Sequence, residues 1–190
     1  RFKCRNPGVD LTPYVEEIEH EIRALCDLRF TRDELAYLRH WRFFKSDFVD
    51  LLGLFHLDDR FIKVTRIPGS DHEIDITIKG PWLHTILFEV PVLAIVSEVY
   101  YRHTLPQPDF AEGRRRLAAK IALANGVPSP QFRTADYGPR PRFSRASQDA
   151  VVGVLANQLG TLLLGTRTPN LAPGHGPAPF RPAPDRTIQA

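Results

Sequence analysis

The side chains best placed to do chemistry lie in one stretch, Asp136-Tyr137-Gly138-Pro139-Arg140-Pro141-Arg142-Phe143-Ser144. Tyr137 offers a flat aromatic face that can stack on a ring. Arg140 and Arg142 offer forked guanidinium donors that match a carboxylate or a phosphate. A helix beginning after Ser144 would add backbone N–H groups and a positive dipole end, which also favour an anion. The combination suits a planar, anionic ligand. The same residues also suit a solvated basic loop with a helix cap, and the spacing leaves both readings open. A second, weaker candidate is Leu164-Gly165-Thr166, where a glycine would let backbone approach a ligand closely.

Other clusters point to less. Arg114-Arg115-Arg116 spreads around most of a helix and reads as a solvated face. The seven histidines are scattered, with no helical metal-site spacing, and no Gly-rich phosphate loop with Lys is present. His84 and Glu89 fall in an apolar segment, where a satisfied core polar residue is the commoner reading. Cys4 and Cys26 can build neither a disulfide framework nor a metal site. They read as reduced thiols of a cytoplasmic protein.

The elements that must position the loop come next. Ser144 to Leu159 reads as a helix, with Val151, Leu155 and Leu159 at four-residue steps and Gly160 as terminator. Gln131 to Asp136 before it and Thr161 to Leu164 after it read as strands. Together they form a parallel βαβ unit, whose ligands bind at the C-terminal ends of the strands. Upstream, Asp109 caps a helix that ends at Asn125-Gly126. Trp82 to His103 reads as a long buried helix interrupted by Pro91.

Arg60 to Ile67 and Glu73 to Lys79 read as a hairpin joined by Pro68-Gly69-Ser70-Asp71. Ile74, Ile76 and Ile78 face its core. Three helices precede it. The first is capped by Thr12 and carries Val15, Ile18, Ile22 and Leu25. The second opens with the capping box Thr31-Arg32-Asp33-Glu34, and the third carries Phe48, Leu51, Leu52 and Phe55.

The chain has 190 residues, 43% hydrophobic and 25% charged, with a net charge of +3. That balance is too small to argue for a nucleic-acid partner. The apolar segment at Trp82 is broken by His84, Glu89, Pro91 and Glu98, so no run of the ~18–20 residues needed to cross a bilayer is expected. Residues 168–190 hold six of the 17 prolines without apolar periodicity and are expected to be disordered or extended. Their composition also fits translation in a shifted reading frame. The chain begins at Arg1 rather than Met and is expected to lack its true start.

Three stretches resemble one family. They are Phe43-Phe44-Lys45-Ser46-Asp47-Phe48, the segment from Ile78 through Gly80-Pro81-Trp82 to Ser97-Glu98, and Asp136-Tyr137-Gly138-x-Arg140-x-Arg142-Phe143-Ser144. From Phe2 to Thr166 the sequence is similar to bacterial nicotinate phosphoribosyltransferases. The resemblance implies an α/β N-terminal domain followed by the first strands of an irregular, incomplete α/β barrel. The expected divisions are 1–105, 106–166 and the Pro-rich tail 167–190. It implies formation of nicotinate mononucleotide and pyrophosphate from nicotinate and phosphoribosyl pyrophosphate, in NAD biosynthesis. ATP hydrolysis would be coupled through a phosphohistidine, Mg²⁺ would assist, and the enzyme would be a homodimer.

By resemblance, Tyr137 stacks on the pyridine, and Arg140 and Arg142 are the cationic residues of the motif. Gly165 and Thr166 match the start of a Gly-Thr-Ser-Asn motif lining the same pocket. The departures are specific. Pro139 and Pro141 replace Thr and Arg, and Arg167-Thr168 replaces Ser-Asn. No Gly-Thr-x-x-His-Glu segment supplies the phosphohistidine, and His175 in Pro-Gly-His-Gly-Pro is no substitute. These 190 residues are therefore expected to form an incomplete enzyme, inactive alone. The alternative is a non-catalytic module that pairs with a full-length subunit.

Overall fold

The computed structural model describes residues 2, 4, 8–41, 43–70, 72–105, 107–127, 132–136, 138 and 142–166. The Pro-rich segment 167–190, with its expected disorder, lies outside them. The chain forms two compact units, Arg1–His103 and Thr104–Ala190.

In the first unit, helix α1 (Val15–Asp27) follows a 3-10 turn at Thr12–Tyr14. Thr12 does not cap it. Instead Asp10 Oδ1 accepts from the Thr12 backbone N–H at 2.9 Å and the Thr12 hydroxyl at 2.7 Å, at the start of the 3-10 turn. Val15, Ile18, Ile22 and Cys26 form the buried stripe. Burial is the main reason the Cys26 thiol is pushed up to about 11, with Asp59, Asp58 and Asp27 adding to it.

Helix α2 (Arg32–His40) opens on the expected capping box, with Thr31 and Glu34 each bonding the other's backbone N–H. It packs against α3 (Ser46–Leu54), on which Val49 and Leu52 are buried while Leu51 and Leu54 are exposed.

Strand β1 (Ile62–Arg66) starts later than expected because Asp58 caps a 3-10 turn at Asp59–Phe61. It pairs antiparallel with β2 (Ile74–Ile78). The hairpin turn closes one residue early, from the Ser70 N–H to the Ile67 carbonyl at 3.1 Å. Gly69 takes φ +81° there, which few other residues tolerate.

Helix α4 (Trp82–Thr104) runs through Pro91. It is long and apolar enough to cross a bilayer by length and composition, with a mean hydropathy of 1.5. This corrects the expectation that no apolar run reached that length, since the interrupting polar residues are too few to lower the average. Nor is the helix buried all round. Phe88, Val92, Ala94, Val96 and Val99 are buried, whereas Trp82 is 73% exposed. Phe88, Val92, Val96 and Val99 pack with the α1 stripe and with Val64, Ile74 and Ile76 in one core. At its far end Arg102 pairs with Glu17 and Glu21, and His103 stacks on Tyr14 at 4.7 Å while meeting Glu17 at 2.5 Å.

In the second unit, α5 (Phe110–Asn125) is capped by Asp109, which accepts from the Glu112 N–H at 2.8 Å, and stops at Gly126. Strands β3 (Thr134–Asp136) and β4 (Leu163–Thr166) pair in parallel, with α6 (Arg145–Leu159) between them in sequence. The expected α/β class and parallel βαβ unit are both present. β4 begins later than expected because Gly160–Leu162 makes a 3-10 turn first, and so Gly165 and Thr166 lie within the strand. Ile121, Leu159 and Leu163 make the core of this unit.

The arginine run is the solvated face expected, Arg114, Arg115 and Arg116 all being exposed. Arg115 and Arg116 both clamp Glu112, each with a contact of 2.6 Å. The hydrogen bond from Arg115, then that from Arg116, lowers the Glu112 carboxyl from its ordinary 4.5 to about 2. A carboxylate held below its unfolded value stabilises fully above that value and loses the effect as pH falls through the folded one. The first turn of α5 is therefore expected to weaken only as pH drops from 4.5 toward about 2. A carbon-13 NMR titration of the Glu112 carboxyl in the folded chain checks this. A midpoint at or above 4.5 would contradict the clamp.

Candidate substrate site

The C-terminal ends of β3 and β4 are where the loop singled out in the sequence begins. Ala135 lies opposite Gly165 and Asp136 opposite Thr166 in the parallel register, with an irregularity between Thr134 and Ala135. Asp136, the first residue of the loop, and the Gly-Thr pair are thus adjacent at one sheet end. The Asp136 carboxylate accepts from the Gly138 N–H at 3.2 Å and from Gln148 Nε2 at 2.8 Å. Ser144 caps α6, its hydroxyl oxygen accepting from the Ser147 N–H at 3.1 Å. Arg142, half-buried, lies two residues before that cap. Phe143 fixes the helix start by an edge-to-face contact with Phe110 at 6.0 Å. Tyr137, Arg140, Pro139 and Pro141 lie outside the described residues.

Gln148 is the residue that sequence reasoning passed over. The buried side of α6 runs through Gln148, Val152 and Leu159, not through Val151 as expected. The signal was present: Gln148, Val152, Leu155 and Leu159 step by four, three and four, so a polar side chain stands on the apolar stripe. Helical side chains lean toward the N-terminus, and Gln148 sits in the opening turns. Its amide consequently reaches the end of β3.

Elsewhere, His84 lies against the rings of Phe55 and Phe61, at 4.7 and 4.6 Å, and its Nδ1 is buried without a hydrogen-bond partner. It is not the satisfied core residue expected. Glu89 is exposed. Among the described residues no group of three or more His, Cys, Asp or Glu side chains is placed to hold a metal ion.

The profile of the nicotinate phosphoribosyltransferase N-terminal domain matches residues 1–97. The chain belongs to the nicotinate phosphoribosyltransferase family. A nicotinate phosphoribosyltransferase of Cupriavidus necator is 55% identical over 190 residues, covering 100% of this chain and 48% of its own length. One of Verminephrobacter eiseniae is 62% identical over 161 residues, covering 85% of this chain and 39% of its own length.

The solved nicotinate phosphoribosyltransferase of Porphyromonas gingivalis superposes with a TM-score of 0.82 at 29% identity, over 94% of this chain and 44% of that one. That of Vibrio cholerae gives 0.76 at 28% identity, over 86% and 40%. The chain spans about half the length of the curated relatives it matches, or less.

Proposed function

We propose that this chain supplies the pyridine-binding side of a nicotinate phosphoribosyltransferase site. The observation that carries the reading is the parallel β3–β4 pair. It sets the start of the Asp136–Ser144 loop beside Gly165 and Thr166, at the mouth of a βαβ unit, in a chain of this family.

The transfer asks for a flat ring, a paired ring carboxylate, a neutralised pyrophosphate, and C1′ of the ribosyl group in line with the ring nitrogen. In this reading Tyr137 stacks on the pyridine. Arg140 and Arg142 share the carboxylate and the developing negative charge of the leaving pyrophosphate. Gly165 keeps the neighbouring strand end low, and Thr166 lines the pocket beside it. The bond from C1′ to the pyrophosphate oxygen breaks and the bond from the ring nitrogen to C1′ forms, giving nicotinate mononucleotide and pyrophosphate for NAD synthesis. ATP coupling, Mg²⁺ and a homodimer belong to the same reading. The described residues offer no metal-binding cluster, and the steps above use none.

The test is product formation from radiolabelled nicotinate, phosphoribosyl pyrophosphate and ATP. The 190-residue chain alone is expected to show little or no turnover. Residues 1–166 joined to the matching remainder of the Cupriavidus necator relative are expected to form nicotinate mononucleotide. A folded chimera that makes none overturns the reading, and brisk turnover by the chain alone overturns its dependence on further parts.

A further inference from the structure

We propose that Gln148 is a positioning residue, whose side-chain amide holds the Asp136–Gly138 turn, and with it the residues of the ring-binding loop, at the end of β3. The inference rests on the reading of that loop as the pyridine site. A glutamine on the buried stripe of a helix carries a desolvation cost that a leucine would not. Here that cost is offset by one charge-assisted hydrogen bond, Nε2 to the Asp136 carboxylate at 2.8 Å. Only the amide nitrogen can face a carboxylate, so the amide orientation is fixed by its partner.

The other Asp136 oxygen accepts from the Gly138 N–H at 3.2 Å. Tyr137 is therefore flanked in sequence by Asp136, which the α6 side chain holds, and by Gly138, which Asp136 holds in turn. Gly138 fits because it has no Cβ. A Cβ there would stand 2.7 Å from both Nε2 and Oε1 of Gln148 and 2.9 Å from Asp136 Oδ1. Asp136, Gly138 and the Gln148 amide thus form one close-packed unit that joins α6 to the end of β3.

Two measurements test this separately from the reading beneath it. In the 190-residue chain, Gln148→Leu is expected to speed hydrogen exchange at the Gly138 amide about tenfold, the scale of one hydrogen bond to a charged group. Unchanged exchange overturns the inference, whether or not the chain is an enzyme. In the active chimera, the same change is expected to raise KM for nicotinate about tenfold and KM for phosphoribosyl pyrophosphate by much less. Equal losses for both substrates, or none, overturn it.

Should Gln148→Leu fail to fold, Gly138→Ala serves instead, because its added Cβ displaces the Gln148 amide while the glutamine itself is retained. The same larger shift for nicotinate is expected, and its absence refutes the inference. A chimera without product defeats the functional reading and leaves the exchange result to decide the positioning role.

Discussion

Phe88→Ala is expected to remove about 3–5 kcal/mol from the stability of the Arg1–His103 unit. A whole domain commands only about 5–15 kcal/mol. Phe88 is 0% exposed and packs in one cluster with residues of α1, of both hairpin strands and of α4. Walls contributed by separate elements cannot all move inward, so most of the ring's volume would remain as a cavity. Leu54→Ala is the control. At 85% exposure it is expected to change stability by no more than about 0.5 kcal/mol. Urea unfolding followed by circular dichroism measures both, and a loss below about 1 kcal/mol at Phe88 would contradict the close packing described.

Gly80→Ala is expected to cost about 1–3 kcal/mol, the range for forcing an extra methyl into a filled site. A Cβ on Gly80 would sit 2.5 Å from Cδ1 and 2.7 Å from Cγ of Phe61. The ring cannot swing clear freely. His84 lies against it at 4.6 Å, the Arg60 guanidinium lies over it at 4.9 Å, and Phe61 backs onto the main core. The strand register also holds the site, since the Lys79 N–H donates to the Phe61 carbonyl at 2.8 Å. Denaturant unfolding of Gly80→Ala, with Gly113→Ala as an unhindered companion, separates crowding from the loss of a glycine. A Cβ at Gly113 meets nothing within 4 Å. Equal stability changes at both positions would remove crowding as the explanation.

What could be read from residue order was what local chemistry decides alone. The Thr31–Glu34 capping box, the Asp109 and Ser144 caps and the Gly126 stop depend on a few consecutive residues. The alternation of Ile74 and Ile76 and the parallel pairing of β3 with β4 follow from periodicity and chain order. What escaped depended on partners distant in sequence. Nothing near Gln148 says that its amide meets a carboxylate twelve residues back. Nor does anything near Gly80 announce the ring of Phe61. The Gly-Pro-Trp segment that carries the family resemblance is legible as a word, but its glycine has a packing reason that only the fold supplies. The α4 stripe was misjudged for the same reason: apolar content sets how much of a helix wants burial, and its neighbours decide which side receives it.

Cys26 turns the core of the first unit into a chemical stopwatch. Its thiol is enclosed and stays protonated well above neutral pH, so a maleimide or disulfide reagent meets almost no thiolate while the unit is closed. Modification must then wait for opening, and its rate, compared with that of an unfolded peptide, reads the fraction of time the unit spends open.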